Sequence, residues 1–582
     1  MFVKKSGDVS LMEFTKYKAY GSAFLCASFA YASFVLGNNV SRSYYVLLIP
    51  AVIFAIISYF SFRNLSHIRL IAELRDTWGK KIERTRDFEV IRRHFDNTPK
   101  PQGTIDDRTW SDLDMNVLFS EMDRTFTVPG QQTLYRILRT PIINNEHALR
   151  KRNEVLNFFR DNQHRREEIQ VVLNKMDERF GEGLSDLLWT SFTVEPSPRM
   201  PLFKFLHIAA CLSPIAFLIS RYGFLLVLAI FLVNMILHFN EQKRIRSHFD
   251  SVKALSRLIF AAKQIVALDC EDLQEYNKVC SKALREVEKY QRAVQYVGVE
   301  TTDPLVGLFQ QYIGIFFLSE VRGFYRAIEI IEEKRPEMQQ IFGVIGELDA
   351  LQSVASYRVH LEFYCEPLFI AEKRITIEDA YHPLVADPIS NSITADKKGI
   401  LVTGSNMSGK STFLRSIGLN ALLAQTIFTC HARSYEGCCV QLITCIGRSD
   451  NVVEGKSYYL EEALAVRRII RSLEDRVVTL CILDEMFRGT NSEERITAGH
   501  RVLNYIIQRN AIVFVATHDL ELTELLVDSY TNVHFSERVG SQGLEFDYKL
   551  KTGPSTTKNA IALLRYLEYP KEITDPGMHQ LH

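Results

Sequence analysis

The chain has 582 residues, which is too long for one hydrophobic core, so we expect roughly two to four domains. Its 69 basic and 69 acidic residues cancel, which argues against a polyanion-binding surface over the whole protein but not against a local basic face. The ten cysteines include no Cys-x-x-Cys pair and no His/Cys cluster at metal-ligand spacing, so we expect reduced thiols that pack as small apolar side chains.

Four uncharged apolar segments form two pairs in the first half of the chain, at 19–36 and 44–62 and at 205–220 and 223–239. Each is close to the roughly 17–25 residues that cross a bilayer as a helix, and the short connections predict two helical hairpins. Lysines and arginines flank the outer ends, whereas the hairpin turns carry only Arg42 and Arg221. The positive-inside rule then predicts a multi-pass protein of the cytoplasmic (inner) membrane, with the bilayer as a partner and both termini in the cytoplasm.

Two other interpretations of these segments stay open. Residues 16–36 could form a signal peptide, because Ala30-Tyr31-Ala32 resembles a cleavage site, although a second apolar segment follows directly. The later pair, which is shorter, could instead form buried helices of a soluble core.

The remaining sequence is helical up to about residue 360. Residues 111–195 have helical apolar spacing with a predicted turn at Val128-Pro129-Gly130, and 241–360 form another long helical stretch with mixed charge. From about residue 368, short strands alternate with helices, which is typical of an α/β sheet domain.

Residues 404–412 match the template G-x-x-x-x-G-K-[ST] without a mismatch. A predicted strand at 399–403 precedes them and a predicted helix at 411–425 follows, so backbone N–H groups and a helix N-terminus would cradle phosphates. We expect Lys410 to reach the terminal phosphates and the Ser411 hydroxyl to hold Mg²⁺, with ATP as the nucleotide. The predicted nucleotide-binding residues of this loop are Gly404, Ser405, Asn406, Met407, Ser408, Gly409, Lys410, Ser411 and Thr412.

Two later strands end in residues that suit ATP hydrolysis. The apolar run 477–483 ends in Asp484 and Glu485, of which the first is expected to hold Mg²⁺ and the second to deprotonate the attacking water. The run 511–516 is followed by His518, which we expect to sense the γ-phosphate.

A second anion site is predicted at Ser457, which follows Gly455 at the start of a helix. A second phosphate site on one domain suggests that two subunits share ATP. The alternative is an ordinary helix N-cap.

Together these motifs resemble the MutS family of mismatch-repair ATPases, a branch of the ABC superclass. GSNMSGKST (404–412) resembles the family's GPNMGGKST, and LDEMFRGTNS (483–492) resembles its MDEIGRGTST. ATHDLELTEL (516–525) resembles the family's ATHYFELTEL. GKSYYLEE (455–462) is similar to GRSTFMVE, the segment of the family that reaches the partner's nucleotide. The family's ATPase domain opens with a segment similar to YHPL (381–384), and its core domain opens with one similar to 118–142. The helix by which its levers return is similar to 345–355, and its final helix-turn-helix is similar to 549–573.

The resemblance implies an α/β P-loop (ABC-type) ATPase domain, preceded by an all-α MutS core-like region. The apolar segments add four predicted transmembrane helices to that region. The resemblance also implies a homodimer. The predicted domains are a transmembrane hairpin at 1–65, a helical core-like domain at 66–200, a second transmembrane hairpin at 201–240, a helical lever-like region at 241–367 and the ATPase domain at 368–582.

The sequence departs from the family in the parts that would read DNA. Residues 1–65 resemble no mismatch-reading domain, and 241–340 are short for full levers and a DNA clamp. Phe487 and Asn491 replace the family's glycine and serine after the acidic pair. The leading hypothesis is a membrane-anchored ATPase with a dimeric composite site, whose coupling to DNA is open. The alternatives are an ATP-driven membrane machine and a nucleotide-regulated scaffold without a DNA role.

Overall fold

A computed structural model gives the structure of the protein. It describes residues 2–176, 181–190, 199–216, 220, 222–288, 290, 304–405, 407–446, 458–473, 476–540, 543–555, 569–570 and 574. The chain divides into two compact units, Met1–Lys80 with Asn162–Lys175, and Lys81–Asp161 with Met176–His582.

The first unit consists of two long helices and one shorter helix. These are α1 (Phe2–Asn39), α2 (Leu48–Thr77) and α8 (Gln163–Asn174), and a 3-10 turn at Arg42–Leu47 joins the first two. Helices α1 and α2 form a hairpin in which the rings of Phe29 and Phe54 stack with their centroids 5.7 Å apart. Arg75 Nε of α2 donates to Glu167 Oε1 of α8 at 2.7 Å.

Buried and exposed positions of this hairpin are the reverse of those in a water-soluble helix pair. Ala19, Ser22 and Ser33 are buried, and Ser58 Oγ donates to the carbonyl oxygen of Ala19 across the pair at 3.3 Å. The large apolar and aromatic side chains point outward; they include Phe14, Tyr17, Tyr20, Phe24, Tyr31, Phe34, Ile53, Ile56 and Phe60. The stretches Met12–Asn39 and Arg42–Thr77 are long and apolar enough to cross a membrane.

The second unit begins with a helical region. Its helices are α3 (Phe88–Asn97), α4 (Asp107–Asp112), α5 (Met115–Met122), α6 (Val128–Arg139), α7 (Glu146–Asp161), α9 (Leu184–Trp189), α10 (Met200–Leu212), α11 (Gly223–Ala267), α12 (Gln274–Glu286), α13 (Pro304–Phe317), α14 (Ser319–Glu333) and α15 (Arg335–His360).

Helices α6 and α15 pack directly on each other around one buried carboxylate. Asp349 of α15 is fully buried and accepts hydrogen bonds from the backbone nitrogens of Phe126 and Thr127 and from the Thr127 hydroxyl, at 2.7–3.1 Å. A Cβ at Gly130 would lie 2.1 Å from Asp349 Oδ2, so only glycine permits this contact. Burial, partly offset by these hydrogen bonds, raises the pKa of Asp349 to about 6.

The later apolar pair differs in length between its two helices. The stretch Gly223–Ile245 of α11 is long and apolar enough to cross a membrane, whereas the apolar helix Met200–Ile215 is shorter. Residues 217–219 of the predicted segment 205–220 lie outside the described residues, so its spanning role stays a prediction.

The second half of this unit contains two sheets. The strands are β1 (Leu368–Phe369), β2 (Ile375–Ala380), β3 (Asn391–Ala395), β4 (Gly399–Thr403), β5 (Ser434–Gly437), β6 (Val440–Cys445), β7 (Val478–Asp484), β8 (Ala511–Ala516), β9 (Tyr530–Gly540) and β10 (Gly543–Thr552). The helices that accompany them are α16 (Lys410–Ile427), α17 (Tyr458–Ser472), α18 (Ser492–Ile507) and α19 (Leu520–Leu525).

The larger sheet determines where the strand ends meet. Its order is β10-β9-β4-β8-β7-β6, and all its pairs are parallel except β9 with β10. The smaller sheet has the order β1-β5-β2-β3. Strands β4 and β8 are buried along their whole length, as expected for central parallel strands covered on both faces. Their carboxyl ends, with that of β7, lie at one edge of the sheet.

Several predicted elements are confirmed and one is wrong. The strands at 399–403 and 511–516 have the predicted bounds, and the predicted helix 411–425 lies within α16. The predicted turn at Val128-Pro129-Gly130 is instead the first turn of α6, because the Thr127 hydroxyl caps the Gly130 N–H at 3.0 Å and proline suits this position. In the segment 549–573, residues up to Thr552 belong to β10, and 556–568 lie outside the described residues.

Candidate functional site

The site begins where β4 ends and α16 starts. Gly404, Ser405 and residues 407–409 belong to the turn, and α16 begins at Lys410. Gly404 and Gly409 have φ angles of 144° and 102°, in a region that disfavours a side chain. A Cβ at Gly404 would also lie 2.8 Å from the carbonyl oxygen of Phe535. The two glycines therefore allow the chain to turn tightly between the strand and the helix.

Lys410 is held over this turn by backbone carbonyl groups. Its side chain is buried, and Nζ donates to the carbonyl oxygens of Gly404 at 2.9 Å and Ser405 at 2.7 Å. Burial lowers the pKa of Lys410, although the carboxylates of Asp484 and Glu485 act in the opposite direction. An amine held at the mouth of a glycine turn is placed to contact an anion bound there.

Ser411 and Asp484 meet across the strand ends. The Ser411 hydroxyl donates to Asp484 Oδ2 at 2.5 Å, and Asp484 Oδ1 is buried without a hydrogen-bond partner among the described residues. Burial raises the pKa of Asp484, partly offset by the bond from Ser411. A buried carboxylate oxygen without a donor, beside a hydroxyl, fits a hard cation such as Mg²⁺.

Glu485 carries the second carboxylate and is in contact with a histidine and an arginine side chain. Its Oε1 pairs with His518 Nε2, and its Oε2 pairs with Arg488 Nη2. Burial acts to raise the pKa of Glu485, but His518 and Arg488 outweigh it, so the net pKa is lowered and the carboxylate is ionised. The pairing of Asp484 with Ala516 across β7 and β8 brings His518 to this position.

These groups border a cavity of about 740 Å³. Of the predicted site residues, those that line it are Met407, Gly409, Lys410, Ser411, Thr412, Asp484 and Glu485. The predicted site residues that are described but do not line the cavity are Gly404, Ser405, Ser408 and His518. Gly404 and Ser405 accept hydrogen bonds from Lys410, and His518 pairs with Glu485. Asn406 and Ser457 lie outside the described residues.

A second group of lining residues comes from segments in which the sequence analysis predicted no nucleotide-binding residue. It consists of Ala380, His382, Val385, Ala386, Asp387, Pro388, Ile389 and Asn391 with Phe535 and Tyr548. His382 is buried, and burial together with Arg415 lowers its pKa to about 4, so its imidazole is neutral near pH 7. This group is mainly apolar, whereas the predicted site residues in the lining include Lys410 and the two carboxylates.

Arg488 is a site residue that the sequence analysis missed. It lies three residues after Glu485 and both lines the cavity and pairs with that carboxylate. Its position in LDEMFRGTNS, three residues after Glu485, could have indicated this, since a cation close to a carboxylate lowers the pKa of that carboxylate. Asp519, which follows His518 in the sequence, forms a further ion pair with Arg495, with Nε–Oδ2 at 2.8 Å.

Comparison with known proteins agrees with this geometry. A family model described as MutS domain V matches residues 400–582, which include the turn, both carboxylates and His518. Residues 400–582 therefore belong to the MutS domain V family. The chain is 30% identical over 258 residues to the DNA mismatch repair protein MutS of Thermus aquaticus, a match that covers 43% of this chain and 31% of that protein. The protein of the same name from Thermus thermophilus is 26% identical over 498 residues, or 79% of this chain and 60% of the relative.

The MutS protein of Clostridium kluyveri is 28% identical over 290 residues, covering 47% of this chain and 32% of the relative. The chain thus spans between 31% and 60% of the length of these three MutS relatives.

Two positions at which this chain departs from the MutS pattern now have a structural description. Phe487, where the pattern has glycine, has a φ of 59° and is buried in the core beside β7 and β8. Left-handed backbone at a residue with a Cβ is strained, so packing of the ring must offset that cost. Asn491, where the pattern has serine, caps α18 by accepting from the Glu494 N–H at 2.9 Å.

Proposed function

We propose that the chain is a membrane-anchored ATPase of the MutS family that binds ATP and Mg²⁺ in the cavity beside β4, β7 and β8. The observation that carries this proposal is the junction at which Lys410, Ser411 and Asp484 converge on a glycine turn. These three groups supply a cation for phosphate oxygens and two oxygen ligands for a metal. The apolar lining residues around Val385 and Ile389 give the rest of the nucleotide a dry surface.

In this proposal each residue has a defined task. Lys410 exchanges its two carbonyl acceptors for phosphate oxygens, and Ser411 and Asp484 hold Mg²⁺, which supplies positive charge beside the phosphates when bound. Glu485 accepts the proton of the attacking water. Both its oxygens are engaged by His518 and Arg488, so one of these contacts must open before Glu485 acts as a base. Because His518 is also expected to sense the γ-phosphate, its contact with Glu485 links the availability of that base to the bound nucleotide.

We further propose that the active form is a homodimer, in which Ser457 of one copy contacts the nucleotide of the other. The cavity is bordered by Glu461 and Glu462, at the start of α17 just after this predicted anion site. Dimerisation on ATP predicts that ATPase activity per chain rises with protein concentration and then saturates.

The reversed burial of the α1–α2 hairpin supports membrane anchoring. Small and hydroxylated side chains such as Ala19 and Ser58 face the partner helix, whereas Phe24 is 72% exposed. In water, this arrangement leaves a large apolar surface uncovered; in lipid it is favourable, because close helix contacts rather than hydrophobic burial hold membrane helices together. The basic residues beside both hairpins favour a cytoplasmic location for the ATPase domain in the inner membrane.

Coupling to DNA is the open part of the proposal. The relatives named above are DNA mismatch repair proteins, which favours DNA binding or DNA repair as the process that ATP drives. The alternative is an ATP-driven membrane machine, favoured by the polar side chains of Asn234, His238 and Glu241, which are buried although they lie in the apolar first half of α11. Stimulation of ATPase activity by duplex, mismatched or branched DNA that falls steeply with salt would favour the first; no response to any DNA would favour the second.

The test of the ATP site is Lys410→Ala in the purified full chain. We expect ATP affinity and turnover to fall by on the order of 10²-fold or more, because a buried charge that contacts phosphate is lost. The matched control is Lys397→Ala, an exposed lysine before β4, which should leave both unchanged. Equal ATP turnover in Lys410→Ala and wild type would overturn the assignment.

A further inference from the structure

A row of polar side chains is enclosed within the apolar first half of α11. Asn234, His238 and Glu241 are spaced by four and three residues, which places them on one helix face. All three are buried, at 0%, 2% and 3% exposure. The apolar side chains on the other faces, Leu232, Val233, Ile236 and Phe239, are 43–59% exposed.

Each polar side chain of this row has a partner from another helix. Asn234 Nδ2 donates to the Phe316 carbonyl oxygen at the end of α13, at 2.6 Å. His238 Nε2 lies 3.6 Å from Glu320 Oε2 in the first turn of α14. Glu241 Oε2 accepts from the Tyr325 hydroxyl at 3.1 Å. The row is therefore a built polar interior, enclosed between α11, α13 and α14.

The surrounding charged and titratable groups come from all the helices packed on this part of α11. Arg199, just before α10, lies 3.6 Å from Glu241 Oε1, so that carboxylate has a cationic partner. From α10, His207 contacts the Phe317 carbonyl oxygen; from α13, the only titratable side chain is Tyr312. Lys253 of α11 acts on Glu320 only through its charge, and the nearest group to Glu320 in the described ion pairs is His238.

The His238–Glu320 pair has a simple charge requirement. With a neutral imidazole and an ionised carboxylate, the pair itself carries one negative charge in an apolar helix cluster, which is unfavourable. One proton neutralises the pair, whether it lies on the imidazole as a cation beside the carboxylate or on the carboxyl group. His238 Nδ1 is buried and has no hydrogen-bond partner among the described residues, so no contact at this nitrogen offsets the negative charge of the pair.

We propose that His238 and Glu320 form a proton-binding site within this helix cluster. A hydronium ion gives its proton to His238 Nε2, an N–H bond forms, and water leaves; the reverse step releases the proton. The pair supplies one nitrogen and one carboxylate, and among the described residues no group of three or more His, Cys, Asp or Glu side chains could hold a metal ion. Structural metal sites usually have four ligands, so this pair suits a proton. This inference goes beyond ATP hydrolysis and does not depend on it.

The experiment uses the full chain in liposomes, with its histidines labelled with ¹⁵N and the His238 signal identified by its loss in His238→Gln. We expect the His238 imidazole to change protonation state in one step between about pH 5 and about pH 8. Glu320→Gln should abolish that step and reduce proton uptake over this range by about one proton per chain. The matched control is Glu329→Gln, an exposed glutamate on the same helix α14, which should keep the step.

A His238 signal that stays in one form over the whole range, or that titrates identically in Glu320→Gln, would overturn the proposal in favour of a static structural pair. ATP turnover measured on the same preparations distinguishes this result from a failure of the ATP site, because neither His238 nor Glu320 is among the residues that line the ATP cavity.

Discussion

The core around β4, β7 and β8 and the α1–α2 hairpin bury opposite kinds of side chain. In the sheet, Leu401, Cys481 and Val513 are fully buried, and charged groups gather at the strand ends. In the hairpin, Ala19 and Ser33 are buried while large aromatic side chains point outward. The sheet region follows the rule for proteins in water, and the hairpin follows the rule for helices in lipid.

This difference shows why hydropathy alone could not decide between a membrane helix and a buried core helix. Both are apolar along their length, but only a core helix turns its large side chains inward. The α11 segment shares the hairpin's arrangement, with Ile236 exposed and His238 buried. The exposure of individual side chains is therefore stronger evidence for a surrounding bilayer than the length of the apolar segment.

The largest expected effect concerns the charged strand ends. Glu485→Gln should retain ATP binding and slow hydrolysis by on the order of 10²–10⁴-fold, because a general base is lost while the cavity keeps its shape. Single-turnover hydrolysis and nucleotide binding, measured separately, check this. Glu493→Gln, an exposed change in the first turn of α18, serves as the control; equal slowing in both variants would remove Glu485 from its proposed role.

The next prediction compares two exposed apolar residues directly. Ile53 in α2 and Val117 in α5 are 51% and 53% exposed. If lipid surrounds Ile53, Ile53→Asp should cost about 3 kcal/mol of membrane insertion, whereas Val117→Asp should change stability by no more than about 0.5 kcal/mol. The fraction of each variant that resists extraction from membranes reports the difference, and equal extraction of both would break the comparison.

A smaller effect is expected at Phe487, where left-handed backbone meets a buried ring. Phe487→Gly and Phe487→Ala both lose the packing of the ring, but only glycine relieves the strain of a φ of 59°. The glycine variant should therefore be more stable than the alanine variant by roughly 1–2 kcal/mol. Thermal unfolding of the two variants side by side checks this; an alanine variant of equal or higher stability would show that the backbone there is relaxed.

The smallest predicted effect is a pH dependence at Asp349. Its pKa is raised from 3.8 to about 6, so its contribution to stability is full below the unfolded value and is lost as pH rises through the folded one. Between about pH 5 and about pH 7, the wild type should lose about 1 kcal/mol from this group. Asp349→Asn should lack this component, and identical pH profiles of unfolding would contradict it.

The strands of the site could be predicted because buried parallel strands are continuous apolar runs, and 399–403 and 511–516 have the predicted bounds. The contact between His518 and Glu485 could not, since it depends on β7 and β8 being neighbours in the sheet. Helix α13 was not predicted as part of an apolar cluster, because its 14 residues are too few to cross a bilayer. Its role follows only from its contacts with α10 and α11.

The most direct test of a membrane-anchored ATPase is flotation of the purified full chain with liposomes through a density gradient, followed by an ATPase assay of every fraction. We predict that wild-type protein and Lys410→Ala both float with the lipid and that only the wild-type fraction hydrolyses ATP. ATPase activity that stays at the bottom of the gradient, in protein free of lipid and detergent, would contradict the account.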